Sequence, residues 1–437
     1  MPSDQTVDLV VENGRLLTLD ADFTILDDGF AAVSDGRIVA VDDRSRRKPP
    51  AAAVRVDARG GVIMPGLINC HTHAAMTCLR GLADDLPLMT WLNDHIFPAE
   101  ARLDGEKIYQ GALLACAEML LSGTTCFCDM YLFEESVAQA AADAGMRAVV
   151  GEVLYDFPSP NYGAVEKGLR YTEELICRWK DHPLVSAAVE PHSTYLCAPE
   201  LLRESFAIAR RYDVPWVIHL SETRSEVRQV RQKHGRTPVA LLADLDLLAP
   251  RVVACHCVEL DDADIDLLRQ GDVRVAHNPE SNMKLASGVA PVPRLLRAGV
   301  CVGLGTDGCA SNNDLDMFAE MGSAARLHKV ANLDPTVVDA RTAIRMATSE
   351  AARVLGLADY IGSLEPGKQA DIIVVDTRRP HLTPMYHPES HLVYAARGSD
   401  VAAVIVAGRV VVQDGRVATM DVADVMTRVA RIAKELR

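Results

Sequence analysis

Between residues 66 and 360, short apolar runs alternate with amphipathic ones, and this rhythm constrains the fold more than any other property of the chain. Eight runs have the length and character of buried strands: Leu67 to Cys70, Thr124 to Cys128, Arg147 to Val153, Val185 to Val189, Val214 to Leu220, Val252 to His256, Val273 to Ala276 and Val300 to Leu304. Helical stretches such as Gly111 to Leu121, Glu200 to Arg211, Asp261 to Arg269 and Pro291 to Ala298 lie between them. Apolar strands separated by helices predict a parallel sheet, because each parallel connection must cross back over the sheet. Eight such units predict an α/β fold closed into a (β/α)8 TIM-type barrel. A doubly wound open sheet is the alternative, but no GxGxxG follows the first strand.

The two ends of the chain read alike and differ from the middle. Val7 to Glu12 and Arg15 to Leu19 flank Asn13-Gly14, and Phe30 to Ser34 and Arg37 to Val41 flank Asp35-Gly36, so two hairpins are expected. At the far end Asp371 to Val375 reads as a strand, and Val401 to Val406 and Arg409 to Gln413 flank Ala407-Gly408. Neither end alone has strands enough for a stable sheet. They are therefore expected to pair as one small β-sandwich, residues 1–65 with 365–437, the barrel of 66–364 being inserted between them. Arg44 to Ala53 reads as a surface loop of that unit.

Polar clusters fall where predicted strands end: His71-Thr72-His73 after the first, His219 after the fifth, His256 after the sixth and Asp307 after the eighth. A barrel brings those ends to one face, where the active sites of such folds lie. Alternate residues of a strand point the same way, so His71 and His73 project together. Each cluster alone has a plain structural explanation: an HxH pair is weak, a lone His219 suits a core, and Asp307 in Gly305-Thr306-Asp307-Gly308 suits a turn. Together His71, His73, His219 and Asp307 make three nitrogens and one oxygen with room for water, an open site for Zn²⁺ or Fe²⁺.

The stretch Pro65-Gly66-Leu67-Ile68-Asn69-Cys70-His71-Thr72-His73 resembles the first-strand signature of the amidohydrolase superfamily. Within it the chain is similar to the 5-methylthioadenosine/S-adenosylhomocysteine deaminases, through Ala83 to Met89, His277 to Leu285 and Gly305 to Asn313. The resemblance implies His71, His73, His219 and Asp307 as metal ligands. It implies Glu222 as catalytic acid/base, His256 as the group that orients or deprotonates the attacking water, Glu100 as a ribose-hydroxyl acceptor and His192 as a substrate contact. Glu222 and Asp307 touch substrate in the same scheme. Two departures are visible. No lysine occurs from Asp181 through Arg210, where binuclear members carry a bridging group, so one metal per chain is expected, with Glu190 kept in the barrel wall. No arginine stands in Val150 to Leu154, where related deaminases hold a substrate carboxylate, which favours 5-methylthioadenosine, adenosine or 5-deoxyadenosine over S-adenosylhomocysteine.

The chemistry agrees. Replacing an exocyclic amine on a purine requires a strong nucleophile at neutral pH, which a metal supplies, and a carboxylic acid to protonate the ring nitrogen. The apolar run through Leu86, Leu88, Met89, Trp91, Leu92, Ile96 and Phe97 reads as a rim helix, as a wall against a thioether, or as both. The alternative enzyme reading is a deaminase or chlorohydrolase of a free base, pterin or triazine, for which a ribose-reading Glu100 has no use. A non-catalytic scaffold is a third reading, against which no expected ligand is missing.

A formal charge of −15 argues against nucleic acid and anionic membranes as partners. The polar start from Met1 to Asp8 and the absence of a long apolar run predict a cytoplasmic chain without a membrane span. Eleven cysteines, mostly in apolar runs and without a CxxC pair, are expected to be reduced. The resemblance implies a homo-oligomer.

Overall fold

A computed structural model describes residues 6–86 and 88–436. Met1 to Gln5 of the polar start, Pro87, and the side chains of Leu88 and Met89 in the apolar run lie outside the described residues. The chain begins with β1 (Val7–Leu17), β2 (Ile25–Ser34), β3 (Arg37–Asp43), β4 (Ala52–Asp57) and β5 (Val62–Pro65). A series of parallel strands follows: β6 (Leu67–Thr72), β7 (Thr124–Tyr131), β8 (Arg147–Leu154), β9 (Val185–Ala187), β10 (Glu190–Pro191), β11 (Trp216–Leu220), β12 (Val252–His256), β13 (Arg274–His277) and β14 (Val302–Leu304). The last strands are β15 (Ile372–Val375), β16 (Val401–Val406), β17 (Arg409–Gln413) and β18 (Arg416–Val417).

Both ends of the chain join one nine-stranded sheet, in the order β18-β17-β16-β15-β5-β1-β2-β3 with β4 on β1. The junction is antiparallel pairing of β5 with β15, Met64 opposite Ile373. The two terminal segments therefore share a core, in which Leu9, Val11 and Ile63 meet Ile372, Val374 and Ile405. One expectation is corrected here. Asn13-Gly14 is not a hairpin turn: β1 runs on through it, and the pairing with β2 slips at Glu12/Gly14 and Gly14/Leu16. Asn13 has φ 64°, so the dipeptide makes a bulge, which the same left-handed backbone supports as readily as a turn. Asp35-Gly36 and Ala407-Gly408 do turn hairpins.

The parallel strands form two sheets, β10-β8-β7-β6 with β9 on β8, and β11-β12-β13-β14. Main-chain hydrogen bonds join them at both edges. Val217 and His219 donate to Val189 and His192, each at 3.0 Å, and Asp307 donates to His71 at 2.9 Å. The β6–β14 approach is close: a Cβ on Gly305 would lie 2.8 Å from the main chain of His71, and one on Gly308 would lie 3.1 Å from His73 Cβ. β6, β7 and β8 are buried along their whole length, as strands covered on both faces must be. Only Gly66 separates β5 from β6, so the terminal sheet leads directly into the strand of His71. A buried ion pair ties the same two units together, Arg147 at the start of β8 donating to Asp371 at 2.9 and 3.1 Å.

All eleven cysteines are free, and ten of them are buried. Among the described residues no helix is long and apolar enough to cross a membrane.

Candidate active site

Strand ends bring the predicted residues to one place. His71 is fully buried at the end of β6, and His73 follows it after one residue. His219 Nε2 lies 3.2 Å from His71 Nε2, and Asp307 Oδ1 lies 3.1 Å from His73 Nε2 and 3.6 Å from His71 Nε2. The ligating atoms of His71, His73 and His219 all fall within 4.8 Å of one another, as do those of His71, His256 and Asp307.

The orientation of each group is set from behind. His219 Nδ1 donates to the His192 carbonyl at 2.8 Å, and His73 Nδ1 donates to the Met130 carbonyl, so Nε2 is the inward-facing nitrogen of both rings. Asp307 has φ 62° and accepts Ser281 Oγ at 2.6 Å and Ser311 Oγ at 2.9 Å on Oδ2, leaving Oδ1 toward the histidines. Burial, reinforced by neighbouring rings, keeps His71 and His219 well below the usual imidazole range, hence neutral. Burial acts against His73 too, but Asp307 and the Met130 carbonyl raise it to about 9. Burial would raise Asp307, yet the hydrogen bond and charge of His73 hold it well below the carboxylate range. Neutral His71 and His219 beside an ionised buried carboxylate, with His73 holding a proton that a bound cation would displace, are a donor set that fits a divalent cation.

Glu222 and His256 flank this set. Glu222 is buried, its Oε1 accepts Ser287 Oγ at 3.2 Å, and burial raises its pKa above the ordinary value. His256 Nδ1 donates to Asn282 Oδ1 at 2.9 Å, which leaves Nε2 as the ring nitrogen without that bond. His256, Cys257, Ser221 and Asp307 all have left-handed backbones without being glycine, a concentration of strain typical of functional sites.

A cleft partly open to solvent lies in front of these groups. Glu100, His192, Trp91, Leu92, Phe97 and Tyr155 contribute to its walls. The apolar run is thus both a rim helix, Leu88–Trp91 through Phe97–Glu100 with a wide π turn over Leu92–Ile96, and a wall of the cleft. Tyr155 stacks on Phe157 with ring centres 3.9 Å apart. Burial raises Glu100 to about 7, partly opposed by Tyr131 and His73. Burial, helped by neighbouring histidines, lowers His192 to about 3, and its Nδ1 has no partner. Glu190 is buried against Cys128 at 3.6 Å and belongs to neither ligating group.

Sequence reasoning did not single out Ser281, Asn282 or Ser311, although all three lie in stretches it quoted as distinctive. Tyr155 and Glu226 carried no signal, since one strand-end tyrosine or one helical glutamate resembles many others.

With this geometry in view, similarity to known proteins is informative. The profile of the amidohydrolase family matches residues 62–411. The chain is 58% identical to a 5-methylthioadenosine/S-adenosylhomocysteine deaminase of Syntrophobacter fumaroxidans, over 98% of each chain. It is 48% identical to a 5'-deoxyadenosine deaminase of Methanothermobacter thermautotrophicus, over 93% of this chain and 95% of that one. Among solved structures, an adenosine deaminase from Xanthomonas campestris with bound zinc is 40% identical, with a TM-score of 0.97 over 99% of each chain. The chain belongs to the amidohydrolase family, and its relatives set it beside the branch named 5-methylthioadenosine/S-adenosylhomocysteine deaminase.

Proposed function

We propose that this protein is a metal-dependent hydrolytic deaminase of 6-aminopurine nucleosides, converting 5-methylthioadenosine to 5-methylthioinosine and S-adenosylhomocysteine to S-inosylhomocysteine with release of ammonia. The observation that carries the reading is the placing of Glu222, His256 and Asp307 around one donor set, at the floor of a cleft that also holds the buried carboxyl of Glu100. The names of the full-length relatives support the substrate class.

His71, His73, His219 and Asp307 would hold one divalent metal, with zinc favoured by the zinc-bound relative. When bound, such a metal lowers the pKa of water from 15.7 to about 7 and so supplies the nucleophile. His256 turns its free Nε2 toward the cleft and holds the proton that water loses. Glu222, whose pKa burial raises, is the acid that gives a proton to N1 of the purine as oxygen adds to C6. The C6–N bond then breaks as the new C6 hydroxyl gives its proton to Glu222 and becomes the carbonyl, and the amine leaves as ammonia with the first water proton relayed by Asp307 or His256. Glu100 accepts the ribose hydroxyls, and His192 contacts the substrate beside them.

The reading includes an architecture in which the parallel strands close into a (β/α)8 barrel, residues 66–364, with residues 1–65 and 365–437 forming a small β-sandwich. The hydrogen bonds at both edges of the parallel sheets support that closure. It further includes a homo-oligomer working in the cytoplasm, where eleven free thiols suit a reducing compartment. The direct test is ammonia release from a panel of adenine nucleosides and free bases. Activity on 5-methylthioadenosine and none on adenine is the expected result. Equal activity on both would favour the free-base alternative.

A further inference from the structure

Glu226 has no part in the scheme above, yet it is 4% exposed and uses both carboxylate oxygens. Oε1 accepts the main-chain N–H of Ser221 at 2.9 Å, and Oε2 accepts that of Glu222 at 2.7 Å. Thr194, two residues beyond His192, brings its hydroxyl to Oε1 at 3.5 Å.

A bland account would make Glu226 a helix-capping acid. It is the third residue of the helix Arg224–His234, and Thr223 caps that helix by accepting the Glu226 N–H at 3.2 Å. In a capping box the glutamate reaches back to the N–H of the capping residue itself. Here it passes over Thr223 and takes the two residues before it. Ser221 is held there with φ 53°. The Ser221 carbonyl accepts the N–H groups of Val258 and Glu259 at 3.0 and 2.8 Å, so the same turn fixes the chain just beyond His256.

We propose that Glu226 is a positioning residue for the deamination: by clamping the N–H groups of Ser221 and Glu222 it sets the direction from which the Glu222 carboxyl enters the cleft. The proposal rests on the reading of Glu222 as acid/base. A carboxylate offers two acceptors and no donor, which two adjacent N–H groups require. Glutamine would turn an NH₂ toward one of them and force the turn to rotate. A misplacement of about 1 Å at a reacting group costs on the order of 10²-fold in rate.

The test is a double-mutant cycle on metal-loaded enzyme with 5-methylthioadenosine, measuring kcat, KM and metal per chain. Glu226→Gln is expected to lower kcat by about 10–100-fold with KM and metal content near wild type. In the Glu222→Gln background the same change should lower kcat by less than about threefold, because its route of action is already gone. An equal loss in both backgrounds, an unchanged kcat, or a loss explained by missing metal would overturn the proposal alone. A Glu222→Gln enzyme with normal turnover would bring down the assignment of Glu222 and this proposal with it. Should Glu226→Gln not accumulate as folded protein, Glu226→Asp carries the same comparison. It keeps both acceptors but ends about 1.5 Å short.

Discussion

Ser281 donates its hydroxyl to Asp307 Oδ2 at 2.6 Å, and this bond determines which oxygen of Asp307 is left for the histidines. Ser281 lies on the short helix Pro279–Lys284 that follows β13, whereas Asp307 lies beyond β14. The two strand ends are therefore registered by one hydroxyl, with Ser311 as a second. Outer partners of this kind are worth about 10–100-fold in metal affinity. Ser281→Ala is expected to weaken zinc binding by about that factor while the fold persists, as read by competition with a chromogenic chelator.

Metal content should be about one equivalent per chain. Prolonged chelation should abolish activity, and zinc should restore it. His71→Ala and Asp307→Ala proteins should purify without metal, measured by plasma mass spectrometry. Two equivalents in active wild type would contradict the mononuclear reading.

Glu222→Gln preserves shape and removes the transferable proton. Turnover should fall by roughly 10²–10⁴-fold with metal content unchanged, measured under single-turnover conditions. Wild-type turnover in this variant would require another acid.

Glu100 is expected to bond the ribose cis-diol only as a carboxylate. Burial puts its pKa at about 7, so it takes up a proton as pH falls through that value. KM for 5-methylthioadenosine should rise between pH 8 and pH 6, and this dependence should vanish in Glu100→Ala. Sites built around a hydroxyl reject its absence by about 10⁴-fold, so wild type should discriminate strongly against adenine, and Glu100→Ala much less. A KM independent of pH in wild type would remove Glu100 from substrate binding.

Arg147→Met should destabilise the fold by about 3–5 kcal/mol, because it leaves Asp371 buried without its cation. The measurement is urea unfolding of the metal-loaded protein. A change below about 1 kcal/mol would mean that the pair behaves like a surface bridge.

Apolar patterning made the parallel strands legible, because strands covered on both faces have little choice but continuous hydrophobic sequence. Each predicted run from Leu67 to Leu304 overlaps an observed strand, with ends shifted by a few residues. The gathering of His71, His73, His219 and Asp307 was legible for a related reason: histidines and an aspartate at strand ends are costly to bury without a purpose. Asn13-Gly14 misled because its local preference is for a left-handed backbone, which a bulge satisfies as well as a turn. The strands Ala52–Asp57 and Val62–Pro65 escaped notice, being short and defined by partners far along the chain. Glu226 and Ser281 were invisible as individuals because their meaning lies in which main-chain or carboxyl atoms they meet across the fold.

The pairing of β5 with β15 has a consequence for how the protein is made. β5 is finished early, but its neighbour at Ile372–Val375 leaves the ribosome roughly 300 residues later, about 15–60 s at ordinary synthesis rates. Through that interval the flank of the first sheet is an open, apolar edge of Val62, Ile63 and Met64. The nascent chain is thus most exposed to misassembly before its last 65 or so residues appear. Truncation anywhere upstream of β15 should yield aggregates that sequester chaperones, even when every residue of the cleft has already been translated.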